Sequence, residues 1–184
     1  MFEYKQAETD KELKQILELQ KKNLPKNLTG EQKNSQGFVT VNHDFDTLHK
    51  MNLLENAVIA KADDSVIGYL LAMRPELRND IEVLVPMFNT FDKLEYKGKQ
   101  LSDYNYIVVG QVCVAREYRG VGILDEMYKK YKELLSGKYD FAVTEIDTEN
   151  LRSINAHKRI GFDLLHNYTS PDKRNWDIII WDWT

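Results

Sequence analysis

Six consecutive residues, Arg119-Gly120-Val121-Gly122-Ile123-Leu124, stand between a β-branched run and an amphipathic one. A strand that breaks at two glycines and resumes as a helix leaves unpaired backbone N–H groups converging on the helix N-terminus, here beside a guanidinium. Such a turn can cradle a pyrophosphate. Two other phosphate loops are excluded by the residues next in the chain. A P-loop places Lys and then Ser or Thr after its last glycine, whereas this chain continues Ile123-Leu124-Asp125. A dinucleotide fingerprint needs a glycine at position 125, where Asp125 stands, a poor neighbour for phosphate. The plainer alternative is a tight strand-to-helix turn whose glycines serve only backbone geometry, with Arg119 solvated.

A second group of chemically capable residues lies downstream. Asn150, Ser153 and His157 fall at i, i+3 and i+7, one face of a helix. Gly161 after Ile160 stops that helix, and Phe162 begins another strand. Taken alone, His157 reads as a packed or surface histidine. The joint pattern of the two motifs carries more.

These residues need elements to position them. Tyr106 to Val114 reads as the strand before the glycines, and Leu124 to about Ser136 as the helix after them, with Leu124, Met127, Tyr128, Tyr131, Leu134 and Leu135 at helical spacing. Tyr139 to Ile146 alternates as a strand leading to the second motif. In the N-terminal half, Phe2 to Gln6 opens as a strand, and Thr9-Asp10 with Glu12 starts a helix that Pro25 ends. Asn27 to Gln36 reads as loop and Gly37 to Val41 as a short extended run. Asp44 caps a helix containing Phe45, Leu48, Met51 and Leu54. Ala57–Ala62 and Val66–Met73 form a hairpin over Asp63-Asp64-Ser65, and Trp176 to Trp183 is the closing strand. The order βααββ then βαβαββ specifies an α/β fold: a mixed, mostly antiparallel central sheet of about six to seven strands flanked by helices.

Composition narrows the class. The 184 residues suffice for one sizeable core, so 1–184 reads as a single domain. A formal charge of −4 with no dense basic stripe argues against a nucleic-acid partner. The single cysteine excludes an internal disulfide and suits a reducing cytoplasm. No long apolar run points to a membrane.

The pair of motifs, Arg-Gly-x-Gly after a strand and then Asn-x-x-Ser-x-x-x-His-x-x-x-Gly-Phe about thirty residues later, resembles the GNAT superfamily of acyl-CoA-dependent N-acetyltransferases. The resemblance is specific from about Val109 to Phe162. It implies acetyl-CoA as co-substrate, with no metal. It assigns Val112, Cys113 and Val114 to the pantetheine arm, and Arg119, Gly120, Val121, Gly122, Ile123 and Leu124 to the pyrophosphate. Asn150 would bond the cofactor near its thioester end, with Ser153 beside it. Three positions depart from the family pattern: Leu124 stands where glycine or alanine is usual, His157 where tyrosine is common, and Ala115-Arg116 replaces a proline-containing turn. None removes the backbone amides on which phosphate binding depends.

Acetyl transfer from a thioester to an amine needs a neutral amine, a stabilised oxyanion and a departing thiolate. A backbone N–H left free where strands splay near Val114 can polarise the carbonyl, contributing about 3 to 4 kcal/mol per donor. His157 is the expected acid or hydrogen-bond partner of the leaving sulfur, whose pKa of about 8.5 makes it a tolerable leaving group unaided. For the base, the strand before the loop carries Gln111 rather than a carboxylate, which leaves Glu145, His43, Asp44 or water. Cys113 reads as an inert buried thiol.

The stretch from Arg74 to Asp103 is extra to a minimal version of this fold. Ile81, Leu84, Val85, Met87, Phe88, Phe91 and Leu94 suit a helix interrupted by Pro86. It would complete the core, or wall an acceptor pocket together with Asn34-Ser35-Gln36-Gly37-Phe38, or form a homodimer contact. The expected activity is acetyl transfer to the primary amine of a small molecule or protein. A non-catalytic acyl-CoA sensor and an acyltransferase for a hydroxyl or another acyl chain are the alternatives.

Overall fold

A computed structural model describes residues 1–31 and 37–184. The main sheet has seven strands: β1 (Phe2–Gln6), β2 (Val58–Ala62), β3 (Ser65–Met73), β6 (Tyr106–Val114), β7 (Phe141–Asp147), β8 (Asp163–Thr169) and β9 (Asn175–Asp182). Their order across the sheet is β1-β2-β3-β6-β7-β9-β8. Every pairing is antiparallel except β6 with β7. A short hairpin, β4 (Glu95–Tyr96) and β5 (Lys99–Gln100), stands apart.

Helices cover both faces. On one lie α1 (Asp10–Lys22), α2 (Phe45–Leu54) and α3 (Val85–Phe91), burying Leu13, Ile16, Leu48, Met51, Met87, Phe88 and Phe91 against Tyr69, Leu71, Met73 and Val108. On the other lies α4 (Ile123–Leu135), burying Met127, Tyr128, Tyr131 and Leu135 against Leu70, Ala72, Ile107 and Val109, with α5 (Leu151–Ile160) alongside. Thr9 caps α1 in a capping box with Glu12, and Asp44 caps α2 through the Thr47 amide, as their types require. No helix among the described residues is long and apolar enough to cross a membrane.

The 74–103 segment differs from expectation. Pro86 does not interrupt a helix; it occupies the first turn of α3, where its missing N–H has no partner to lose. Two 3₁₀ turns, Pro75–Leu77 and Glu82–Leu84, precede it. Phe88 and Phe91 are 0% and 1% exposed, so they complete the core and wall neither an acceptor pocket nor a dimer contact. The β4–β5 hairpin, turned by Lys97-Gly98, was not anticipated. Tyr139 likewise precedes β7: its amide closes the end of α4 on Leu135, and its hydroxyl donates to the buried Glu55 at 3.0 Å.

One irregularity shapes everything downstream. The β3–β6 register slips at Gly110, since Leu71 faces Gln111 while Ala72 faces Val109. Below this bulge Tyr106 and Val108 point to the α1–α3 face; above it Cys113 and Ala115 do, and Val112 and Val114 turn to the other. A bulge bends its strand, and glycine fits the packing here: an added Cβ would sit 3.3 Å from Met51 Cε and Met73 Cβ, which would have to give by a few tenths of an ångström.

Candidate active site

The bend opens the sheet. β6 and β7 pair only at Tyr106–Phe141, Ile107–Ala142 and Val108–Val143, after which they diverge. At the apex Thr144 donates its hydroxyl to the Val109 carbonyl at 2.8 Å, a side chain standing in for the next rung. Above the bulge Ala115 gives its amide to Ile67 on the β3 side at 2.7 Å. Because strand residues alternate, the N–H and C=O of Val112 and Val114 face the gap.

Two adjacent cavities with shared lining residues occupy this wedge. The larger, about 490 Å³, runs from Val112, Cys113 and Val114 past Arg119, Gly120, Gly122, Ile123 and Leu124, with Asn150, Ser153 and His157 on its far wall. The smaller, about 80 Å³, reaches through the wedge to Gly110, Gln111, Thr144, Glu145, Asp147 and Trp176. Phe38 and Val39 border both. They belong to an extended strap held by Val39 N–H on the Asn23 carbonyl at 3.1 Å and by Gln111, whose side-chain amide donates to Val41 O at 2.9 Å and accepts from Tyr69 Oη at 2.6 Å. Of the loop expected to wall the acceptor, Gly37 and Phe38 line the larger cavity, while Asn34, Ser35 and Gln36 lie outside the described residues.

The glycine turn has the form its sequence requires. Gly120 and Gly122 have φ of 82° and 87°, the left-handed region. Gly122 is the N-cap of α4 and supplies no side-chain cap, which leaves the first amides of the helix open to a ligand. The Arg119 guanidinium, however, turns inward: Nε donates to the Val114 carbonyl at 2.7 Å and a terminal nitrogen to Asn23 Oδ1 at 2.7 Å, tying the turn to the ends of β6 and α1. Asp125 does not face a phosphate unopposed, because Arg159 holds it with three contacts of 3.0–3.1 Å. Val121 is the exception in the turn, its side chain 62% exposed and outside the cavity wall.

On the opposite wall Asn150 caps α5, its Oδ1 accepting the Ser153 amide at 3.3 Å while its Nδ2 donates to the strap at Phe38 O, 3.1 Å. His157 is buried, and both its ring nitrogens are engaged. Nδ1 lies 2.8 Å from the Ser153 carbonyl, an acceptor only, so Nδ1 carries the proton. Nε2 therefore accepts from the Tyr128 hydroxyl at 2.6 Å. Burial pulls the imidazole down to about 4, so the ring is neutral near pH 7. Cys113 is buried and its thiol is pushed up to about 11 by desolvation, an inert group as expected.

Of the base alternatives, only Glu145 reaches a cavity. Desolvation raises its carboxyl to about 7, with Asp172 adding to the rise and a 2.5 Å hydrogen bond donated by Tyr168 opposing it. Asp44 is spent on capping α2. His43 is buried, with Nδ1 on Gln20 Nε2 at 3.0 Å, and borders neither cavity. The side chains that sequence reasoning missed are Asn23, Thr144, Asp147, Arg159 and Trp176, which carry no local signature. Gly110 did carry one, since a glycine inside a strand marks a bulge. Among the described residues no group of three or more His, Cys, Asp or Glu could hold a metal ion.

The site thus sets a splayed parallel strand pair beside a glycine-turned helix N-terminus. Residues 13–162 match the model of the acetyltransferase (GNAT) family, and the chain belongs to that family. No curated protein matches it significantly. Similar solved structures include a chain of the NatC complex bound to Gag peptide and CoA, with TM-score 0.67, 13% identity, and coverage of 100% of this chain and 99% of that one. Naa50 of Arabidopsis thaliana, in complex with the bisubstrate analogue CoA-Ac-MVNAL, has TM-score 0.63, 17% identity and 99% coverage of each chain. A ribosomal-protein-alanine N-acetyltransferase from Brucella melitensis has TM-score 0.63, 14% identity, and coverage of 98% of this chain and 99% of that one.

Proposed function

We infer that the protein transfers an acetyl group from acetyl-CoA to a primary amine. The observation that carries this reading is the adjacency of the two cavities, which share Phe38, Val39, Val112, Asn150, Ser153 and His157 as lining: open helix amides border one, the edge of β6 beyond its pairing with β7 runs between them, and a carboxyl near neutral pKa borders the other. In this arrangement the amides at the start of α4 hold the pyrophosphate. The pantetheine arm lies along Val112–Val114, and an amide facing the wedge polarises the thioester carbonyl. The amine enters from the smaller cavity, where Glu145 takes its proton; a base with pKa near the working pH is effective in this role. Arg119 shapes the turn and Asn150 joins α5 to the strap.

The non-catalytic alternative drew its support from the lack of a base along β6. A desolvated carboxyl on β7, one strand away, supports turnover instead. The similarity to the peptide-bound NatC chain, to Naa50 with its peptide-bearing bisubstrate analogue and to the ribosomal-protein-alanine N-acetyltransferase favours a protein or peptide amine as acceptor. Calorimetric titration with acetyl-CoA, beside Gly120→Glu, is the test. Binding by the wild type that the variant loses, followed by thiol release with primary amines, is the expected result. Absence of binding by the wild type would overturn the donor assignment.

A further inference from the structure

The hydrogen bonds around His157 leave it without a proton to give. Its Nδ1 proton goes to the Ser153 carbonyl, and its Nε2 lone pair is filled by Tyr128, a hydroxyl buried on the helix side of the sheet. A different hydroxyl occupies the junction. Ser153 borders both cavities, together with Phe38, Val39, Val112, Asn150 and His157. The junction is where a thioester must lie if its arm runs along β6 and the amine arrives from the side of Glu145. Ser153 Oγ is 3.3 Å from His157 Nδ1, close enough to share the ring proton with the carbonyl. With a lone pair engaged in that way, the hydroxyl proton is directed away from the ring. Thr144, the other hydroxyl near the apex, is already committed to Val109.

We propose that Ser153 donates a hydrogen bond to the leaving sulfur and that His157, locked by Tyr128, is the positioning residue that orients it. This rests on the acetyl-CoA reading above. As the amine nitrogen bonds to the carbonyl carbon and its proton passes to Glu145, the C–S bond breaks and sulfur departs with the electron pair. Ser153 stabilises that thiolate and keeps its own proton, because a hydroxyl is a far weaker acid than a thiol of pKa about 8.5.

The test is the acidity of coenzyme A thiol bound to the protein, followed by the ultraviolet absorption of its thiolate against pH. Cys113, the one cysteine, stays silent because its thiol is pushed up to about 11. Calorimetry at about pH 6, where the thiol is protonated, first measures the coenzyme A affinity of wild type and Ser153→Ala, so that both are saturated in the titration. The bound thiol is then expected to titrate about one pH unit higher in Ser153→Ala than in wild type, with a roughly tenfold lower kcat. Ser153→Thr, which keeps the hydroxyl, titrates with the wild type, and His157→Phe shifts in the direction of the alanine variant. Equal thiol acidity in wild type and Ser153→Ala, or a threonine variant that behaves like alanine, overturns the role of Ser153 while the donor reading stands. An unmoved His157→Phe overturns the orienting role. Failure of the wild type to bind coenzyme A overturns the donor reading itself.

Discussion

The two cavities of the wedge are built on different principles. The larger is walled mostly by residues 112–159, and its key groups are backbone: the amides opened by Gly122 and the edge of β6 beyond its pairing with β7. The smaller gathers side chains from the strap at 38–40, from β6, β7 and β9, with Tyr168 of β8 behind Glu145. A backbone site is set less by side-chain identity than by the dihedral angles that create it. A side-chain site depends on identity at a few positions and on the tertiary contacts that aim them. Donor binding and acceptor chemistry should therefore respond to different mutations.

The largest expected effect is on the acceptor side. Glu145→Gln is expected to lower kcat by roughly 10²- to 10⁴-fold with coenzyme A affinity unchanged. The sign of the pH dependence is set by the same group: the carboxyl, raised to about 7, is a base only when ionised, so the wild-type rate falls as pH drops through 7. That limb should vanish in the variant. A parallel loss of coenzyme A affinity, measured by calorimetry, would break the division between the cavities.

Gly122→Ala probes the other side. At φ 87° with no atom within 4 Å of the added Cβ, its cost is conformational and not steric. About 1 to 2 kcal/mol of left-handed strain predicts coenzyme A binding weakened by about tenfold, with kcat at saturation retained. A change in kcat alone would mean that the turn serves the chemistry directly. The smallest effect is expected at the apex. Thr144→Val removes the hydroxyl bonded to Val109 and leaves a buried carbonyl unpaired, lowering stability by about 1 kcal/mol in urea denaturation. An unchanged midpoint would show that the Gly110 bulge holds the wedge open without it.

Legibility in the sequence divides along the same line. The glycine turn, the β6 strand and the Asn150–His157 face were readable because each is a local pattern whose geometry is set by residues a few positions apart. The same reading stopped short at Arg119, whose guanidinium is drawn to Asn23, far away in the chain. It offered Glu145 only among several bases, because desolvation by packed neighbours, invisible in one strand, is what raises its carboxyl. Phe88 and Phe91 had three readings in one dimension, as core, pocket wall or dimer contact, and only their burial decides for the core. The β4–β5 hairpin was missed because two-residue strands carry too little alternation to register.

By itself the sequence determined the order of the main-sheet strands and the helices between them, the left-handed turn that opens the first amides of α4, and the helix face carrying Asn150, Ser153 and His157. Those depend on dihedral preference and periodicity, which act over a few residues. Tertiary structure alone decided that β6 parts from β7 after Val108, that the strap crosses the opening, and that His157 spends both nitrogens on Tyr128 and Ser153. These are contacts between distant segments, and their energies arise only when the sheet has brought the segments together.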